Sequence, residues 1–107
     1  WSVSSPNPLE EIEVAVTRIA TESRGERQPF LPDERLSLEE SIRAFTLGSA
    51  RVNHLDDDTG SIEAGKLADL AVIDRDLLAP EAGPIADARV LLTLVGGAVV
   101  FEDPALA

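Results

Sequence analysis

The sequence predicts an α+β fold, with a helical first half followed by a small β half. Three observations carry this. Two helix starts, at Asn7-Pro8 and at Ser37-Leu38-Glu39-Glu40, each open an apolar pattern at helical spacing. A turn at Glu63-Ala64-Gly65-Lys66 feeds the unbroken apolar run Leu70-Ala71-Val72-Ile73. Gly96-Gly97 then separates two further apolar runs, which is the mark of a hairpin.

In chain order, Trp1 to Asn7 reads as a loop broken by Pro6 and Pro8. Asn7 is the expected N-cap, Pro8 suits the first helical position, and Glu10 sits three residues after the cap. Leu9, Ile12, Val16 and Ile19 form the apolar stripe of a helix over 9–24, with Glu10, Glu11, Glu13 and Arg18 mostly off it. Gly25 is expected to stop it. Residues 25–36 hold Gly25, Pro29 and Pro32 and read as a loop, which Phe30 and Leu31 pin to an apolar surface; a ligand-binding lid is the functional alternative. Ser37 and Glu40 form a capping box for a helix over 38–46, with Leu38, Ile42 and Phe45 as its buried face. Thr46 to Ser49 interrupts that pattern, and a short third helix runs through Ala50, Val52 and Leu55.

The turn at Glu63–Lys66 is of type II, because Gly65 can take the positive φ its third position requires. Leu70–Ile73 is expected to be a strand covered on both faces, ended by Asp69 and Asp74. A loop with Pro80, Gly83 and Pro84 follows, then strands over 89–95 and 98–101.

Composition narrows the function classes. At 107 residues the chain suffices for one small domain and falls short of a complete barrel of ~250 residues. It begins with Trp rather than Met, from which a fragment or processed piece is expected. A net charge of −11 argues against nucleic acid or an anionic membrane as partner and reads as a solvated acidic surface. Without cysteine there is no disulfide, thiolate metal site or Cys nucleophile, and a cytoplasmic location is expected. No apolar run reaches the ~18 residues that a bilayer span needs.

Two stretches invite a site reading. Asp56-Asp57-Asp58 offers oxygen ligands for a hard cation, but its spacing is not that of an EF-hand, and a solvated turn is expected. His54, the only histidine, has no second histidine to share a metal with, and is expected at a partly exposed helix end. No residue is therefore assigned a catalytic, cofactor-binding or metal-binding role.

The run Gly60-Ser-Ile-x-x-Gly65-Lys66-x-Ala68-Asp69-Leu70-x-Val72-x-Asp74 resembles the signature near the C-terminus of amidohydrolase-superfamily enzymes. The opening Trp1-Ser-Val-Ser-Ser-Pro-Asn-Pro-Leu9, with Glu13 to Arg18, the block Ser37 to Thr46, and Val90 to Phe101, resembles the amidohydrolase family 3 (YtcJ-like) branch, related to N-substituted formamide deformylases. Position 2 is Ser where that branch usually has Pro, and 50–58 matches less well. The resemblance implies a TIM barrel with a composite β-sandwich. Residues 1–58 would be the helical end of the barrel, and 59–107 the C-terminal part of the sandwich.

It further implies a parent enzyme that hydrolyses a non-peptide C–N bond with a divalent metal, commonly zinc, which lowers the pKa of bound water and polarises the substrate carbonyl. The metal-site Asp of that family ends the eighth strand, immediately before the Trp, and would serve as general base; it and the metal-binding histidines lie outside this sequence. The expected partners are the N-terminal part of the parent and, for the chain by itself, further copies in a homo-oligomer. The competing reading is a free-standing α+β interaction module whose exposed sheet edge captures a peptide strand.

Overall fold

The computed structural model describes residues 5–106, so the Trp1 end of the opening loop lies outside the described residues. The architecture is α+β, with short helices and a three-stranded antiparallel sheet. The chain forms two compact units: one runs to Phe45 and takes in Leu77–Asp87, and the other holds Thr46–Asp76 and the residues from Ala88 onward.

In the first unit, helix α1 spans Pro8–Thr17. Asn7 caps it as expected, its Oδ1 accepting from the Leu9 amide at 3.1 Å, with Pro8 opening the first turn. The helix stops well before Gly25. Arg18 adopts the left-handed conformation (φ 61°) and its N–H closes the last turn on the Val14 carbonyl. Thr17 reinforces this stop, since its Oγ1 donates to the Glu13 carbonyl at 2.8 Å and accepts from the Ile19 amide at 3.2 Å. A single 3₁₀ turn, Thr21–Ser23, follows in place of the expected last turns.

The stretch 25–36 is a loop with a 3₁₀ turn at Pro32–Glu34. It is not pinned through its apolar residues: Phe30 is 70% and Leu31 54% exposed. Its attachment is through backbone, with Phe30 paired to Arg18 and the Leu36 amide donating to the Ala15 carbonyl at 3.1 Å. Helix α2 spans Leu38–Arg43 and opens with the complete capping box of Ser37 and Glu40. That box holds the Glu40 carboxyl below its ordinary pKa, chiefly through the hydrogen bond from the Ser37 amide. The buried face is not the expected one. Ser41 is fully buried, Leu38 and Ile42 are half-buried, and Phe45 is exposed. The helix changes to π-type spacing over Ala44–Gly48, the segment that carries Phe45. Helix α1 packs on α2 and on a 3₁₀ turn at Ile85–Asp87, with Ile12 and Glu13 buried.

In the second unit, helix α3 covers only Ser49–Val52, with Ala50 buried and Val52 81% exposed. Strand β1 spans Leu70–Ile73, β2 Val90–Val95 and β3 Ala98–Glu102, in the sheet order β1-β2-β3. Leu70 pairs with Leu94 and Val72 with Leu92; across the hairpin Thr93 pairs with Phe101. Gly96 and Gly97 both have positive φ, as a two-residue turn of the primed type requires. The expectation of a β1 covered on both faces fails. Ala71 and Val72, which point to opposite faces of the sheet, are both exposed, Val72 at 44%. Every residue of β3 is exposed as well.

Candidate functional site

The chemistry of this chain concentrates in the signature stretch of the second unit. Its first glycine is a packing residue. Gly60 has φ 88°, and a Cβ there would stand 2.6 Å from the Ala50 Cβ and 3.0 Å from the Leu47 Cα. The turn therefore lies directly against the helical segment, a closeness that only glycine permits. Gly65 has φ 96° with open space around it, and the Lys66 amide donates to the Glu63 carbonyl at 3.2 Å, as the predicted turn demands.

Lys66 reaches back across this turn. Its Nζ donates to the Asp56 carbonyl at 2.5 Å and to Ser61 Oγ at 2.7 Å, and stands 3.4 Å from Glu63 Oε1. The Ser61 hydroxyl, and then the Lys66 charge, hold the Glu63 carboxyl below its ordinary pKa. Asp69 accepts from Thr59 Oγ1 at 3.0 Å and from the Gly96 amide at 2.7 Å, so that it ties the hairpin turn to the start of β1. At the other end of β1, Asp74 accepts from the Arg75 Nε at 2.9 Å, the Arg89 amide at 3.1 Å and the Arg89 Nε at 3.3 Å. The Arg75 side chain foremost, then the Arg89 amide, holds the Asp74 carboxyl far below the usual carboxylate range. These polar groups spend their bonding capacity on the scaffold.

His54 is exposed at the end of α3 in a left-handed conformation, φ 57°. Asp57 and Asp58 are exposed, and Asp56 stands 3.6 Å from Arg51. Among the described residues, no three His, Cys, Asp or Glu side chains group as metal ligands would. The donors present do not fit a divalent ion, and no chemical step is assigned to one here.

The first unit holds a polar cluster that sequence reasoning missed. Glu13 is 3% exposed, and its carboxylate takes a two-point contact from Arg24, with Arg24 Nη2 at 2.8 Å from Oε2, and the Ala86 amide at 2.8 Å. Arg24 also donates to Asp87 Oδ1 at 2.9 Å. The Glu13 hydrogen bond, then that to Asp87, raises the pKa of the guanidinium above its ordinary value. The signal was in the pattern. Glu13 falls four residues after Leu9 and three before Val16, on the apolar face rather than off it.

The fold is a small α+β one, and the class of the chain follows from comparison. The profile of the amidohydrolase family matches residues 1–101, and the chain belongs to that family. Its relatives include N-substituted formamide deformylase from Arthrobacter pascens, 36% identical over 84% of this chain and 16% of that protein. Protein LONG AFTER FAR-RED 3 from Arabidopsis thaliana is 35% identical over 94% of this chain and 17% of that protein. Imidazolonepropionase from Picrophilus torridus is 51% identical over 38% of this chain and 10% of its own length. The chain thus spans about one-sixth of the first two relatives. No solved structure matches it. No helix among the described residues is long and apolar enough to cross a membrane.

Proposed function

We propose that this chain is the C-terminal portion of a metal-dependent amidohydrolase that cleaves a non-peptide C–N bond of the amide or formamide type. The observation that carries this is the family match over residues 1–101 in a chain that accounts for only 16–17% of its first relatives. Residues 1–58 would complete the helical wall of the barrel and 59–107 the composite sandwich. The role of this segment is structural: Lys66, Asp69, Asp74 and Glu13 hold turns, strand ends and a loop, and are engaged in those bonds. The divalent metal, zinc by expectation, would be held by residues outside the segment. The partners would be the rest of the parent chain and further copies of it, and the location the cytoplasm.

One observation favours the alternative of a free-standing interaction module, namely the exposure of all five residues of β3. A single experiment separates the two. The longest reading frame containing this sequence is expressed and assayed on N-substituted formamides and small amides, before and after chelation. Turnover that chelation abolishes and added zinc restores is expected of the long product, and none of the 107-residue chain. A reading frame with no further hydrolase sequence would sink the proposal.

A further inference from the structure

We propose that Lys66 is a conformation-gated acylation site. Its amine is locked while the loop from Asp56 to Lys66 is closed, and acylation, once made, keeps that loop from closing. This holds independently of the function just proposed. Lys66 is the only lysine of the chain, whose other long basic side chains are all arginines. Lysine amines take acyl groups and guanidinium groups do not, so acyl transfer has one side-chain amine to act on here.

The lock is built from Lys66 outward. Its side chain is 13% exposed. The ammonium has three N–H donors and faces three oxygens: the Asp56 carbonyl at 2.5 Å, Ser61 Oγ at 2.7 Å and Glu63 Oε1 at 3.4 Å. Ser61 in turn donates to the Glu63 carboxylate, which closes the cluster. The backbone around it is fastened too. The Leu67 amide donates to the Asp58 carbonyl at 2.8 Å, and Gly60 lies against Leu47 and Ala50. An acyl donor needs the nitrogen lone pair. That pair is free only when the ammonium has left these oxygens and given up its proton, which requires a local opening.

The acyl donor is an activated one, a thioester or an acyl phosphate. The neutral amine attacks the acyl carbon and the N–C bond forms. The C–S or C–O bond breaks, its electron pair leaving on thiolate or phosphate, and one amine proton passes to water. The product is a neutral amide with a single N–H. It cannot serve the Asp56 carbonyl and Ser61 together, and it offers Glu63 no charge. Reclosing would leave acceptors unpaired, so the acylated loop stays open. A transient opening thereby becomes a lasting one.

The test uses acetyl phosphate on the whole protein that carries this sequence, native and unfolded in guanidinium chloride. Acetylation blocks trypsin at Lys66, so the uncut peptide 52–75, read by mass, reports the modified fraction. Lys66 is expected to react about tenfold more slowly in the native protein than in the unfolded one, and equal rates would overturn the lock. Ser61→Ala removes one of the three oxygens. It is expected to quicken the native reaction about threefold and leave the unfolded one unchanged. A native rate that stays at the wild-type value would overturn the role of the cluster. Hydrogen exchange then separates a local opening from a general loss of structure. In the acetylated protein the amides of Lys66 and Leu67 are expected to lose protection while those of β2 keep it. Unchanged protection at Lys66 and Leu67 would overturn the lasting opening, and so would loss throughout β2, since the change would then be global unfolding.

Discussion

Glu13 and Arg24 meet in a two-point ion pair whose acidic partner is almost wholly out of water, 3% exposed, and whose basic partner is about one-third exposed. Because the same carboxylate accepts the Ala86 amide, the pair fastens the turn at Ile85–Asp87 to the first helix. A buried charge that loses its partner is strongly destabilising, by about 3–5 kcal/mol when both ions are buried. Partial exposure of Arg24 reduces that, and Arg24→Ala is expected to cost about 2–3 kcal/mol. Denaturant titration of variant and wild type would check it. A loss below the noise of the titration would mean that water replaces the guanidinium at no cost.

The two glycines of the signature differ in what they tolerate. Gly65 has positive φ and open space, so Gly65→Val should cost only backbone strain, ~1–3 kcal/mol. Gly60 has positive φ and a crowded Cβ position, so even Gly60→Ala should cost about 2–4 kcal/mol, strain and overpacking together. Melting curves that rank Gly65→Val as the more damaging would refute the assignment of Gly60 to a close helix contact.

Lys66 is engaged with the Asp56 carbonyl and the Ser61 hydroxyl rather than with either aspartate that flanks β1. Hydrogen bonds from a charged group are worth about 1.5–3 kcal/mol. Lys66→Met, which keeps the stem and removes the ammonium, is therefore expected to lose about 1–2 kcal/mol. Thermal denaturation of Lys66→Met, Asp69→Asn and the double variant is expected to give additive losses, since the two side chains share no hydrogen bond.

Asp74 makes stability depend on pH with a definite sign. Its folded-state pKa lies below the unfolded value of about 3.9, so its contribution is full above that value. It is lost as pH falls from about 4 through the folded-state pKa in strong acid. Asp74→Asn should flatten the acid limb of a stability-against-pH profile while leaving its shape near neutrality unaltered. An acid limb equally steep in wild type and variant would show that Arg75 and Arg89 do not favour the charged form.

The sheet gives a prediction for the chain in isolation. Val95, Val99, Val100 and Phe101 are between 47% and 61% exposed, on and beside an outer strand. Exposed apolar strand edges associate unless charge or proline blunts them, and the net charge of −11 favours a defined oligomer over precipitate. A dimer or larger oligomer joined through β3 is expected by light scattering, and Val100→Lys should dissociate it. A monomer at high micromolar concentration in low and moderate salt would be the contrary result.

Much of the local structure was legible beforehand because it depends on neighbours in sequence. The Asn7 cap, the Ser37–Glu40 capping box, the Gly65 turn and the Gly96-Gly97 hairpin are each set by a few adjacent residues whose conformational preferences need no tertiary partner. The strand limits at Asp69 and Asp74 were legible for the same reason. The signature resemblance was also in the sequence, and it pointed to the family that the comparison shows.

What only the tertiary structure decided are the matters of reach and burial. Whether the first helix would run to Gly25 turned on Thr17 and Arg18 finding closer partners, among them Phe30 twelve residues on. Whether Glu13 faced water turned on Arg24 and on an amide seventy-three residues away. Which side of α2 was buried turned on its packing against α1. Sequence states the preferences of a segment, while contacts between distant segments decide which of those preferences prevail, because a buried polar group or a strained turn persists only where a partner compensates its cost.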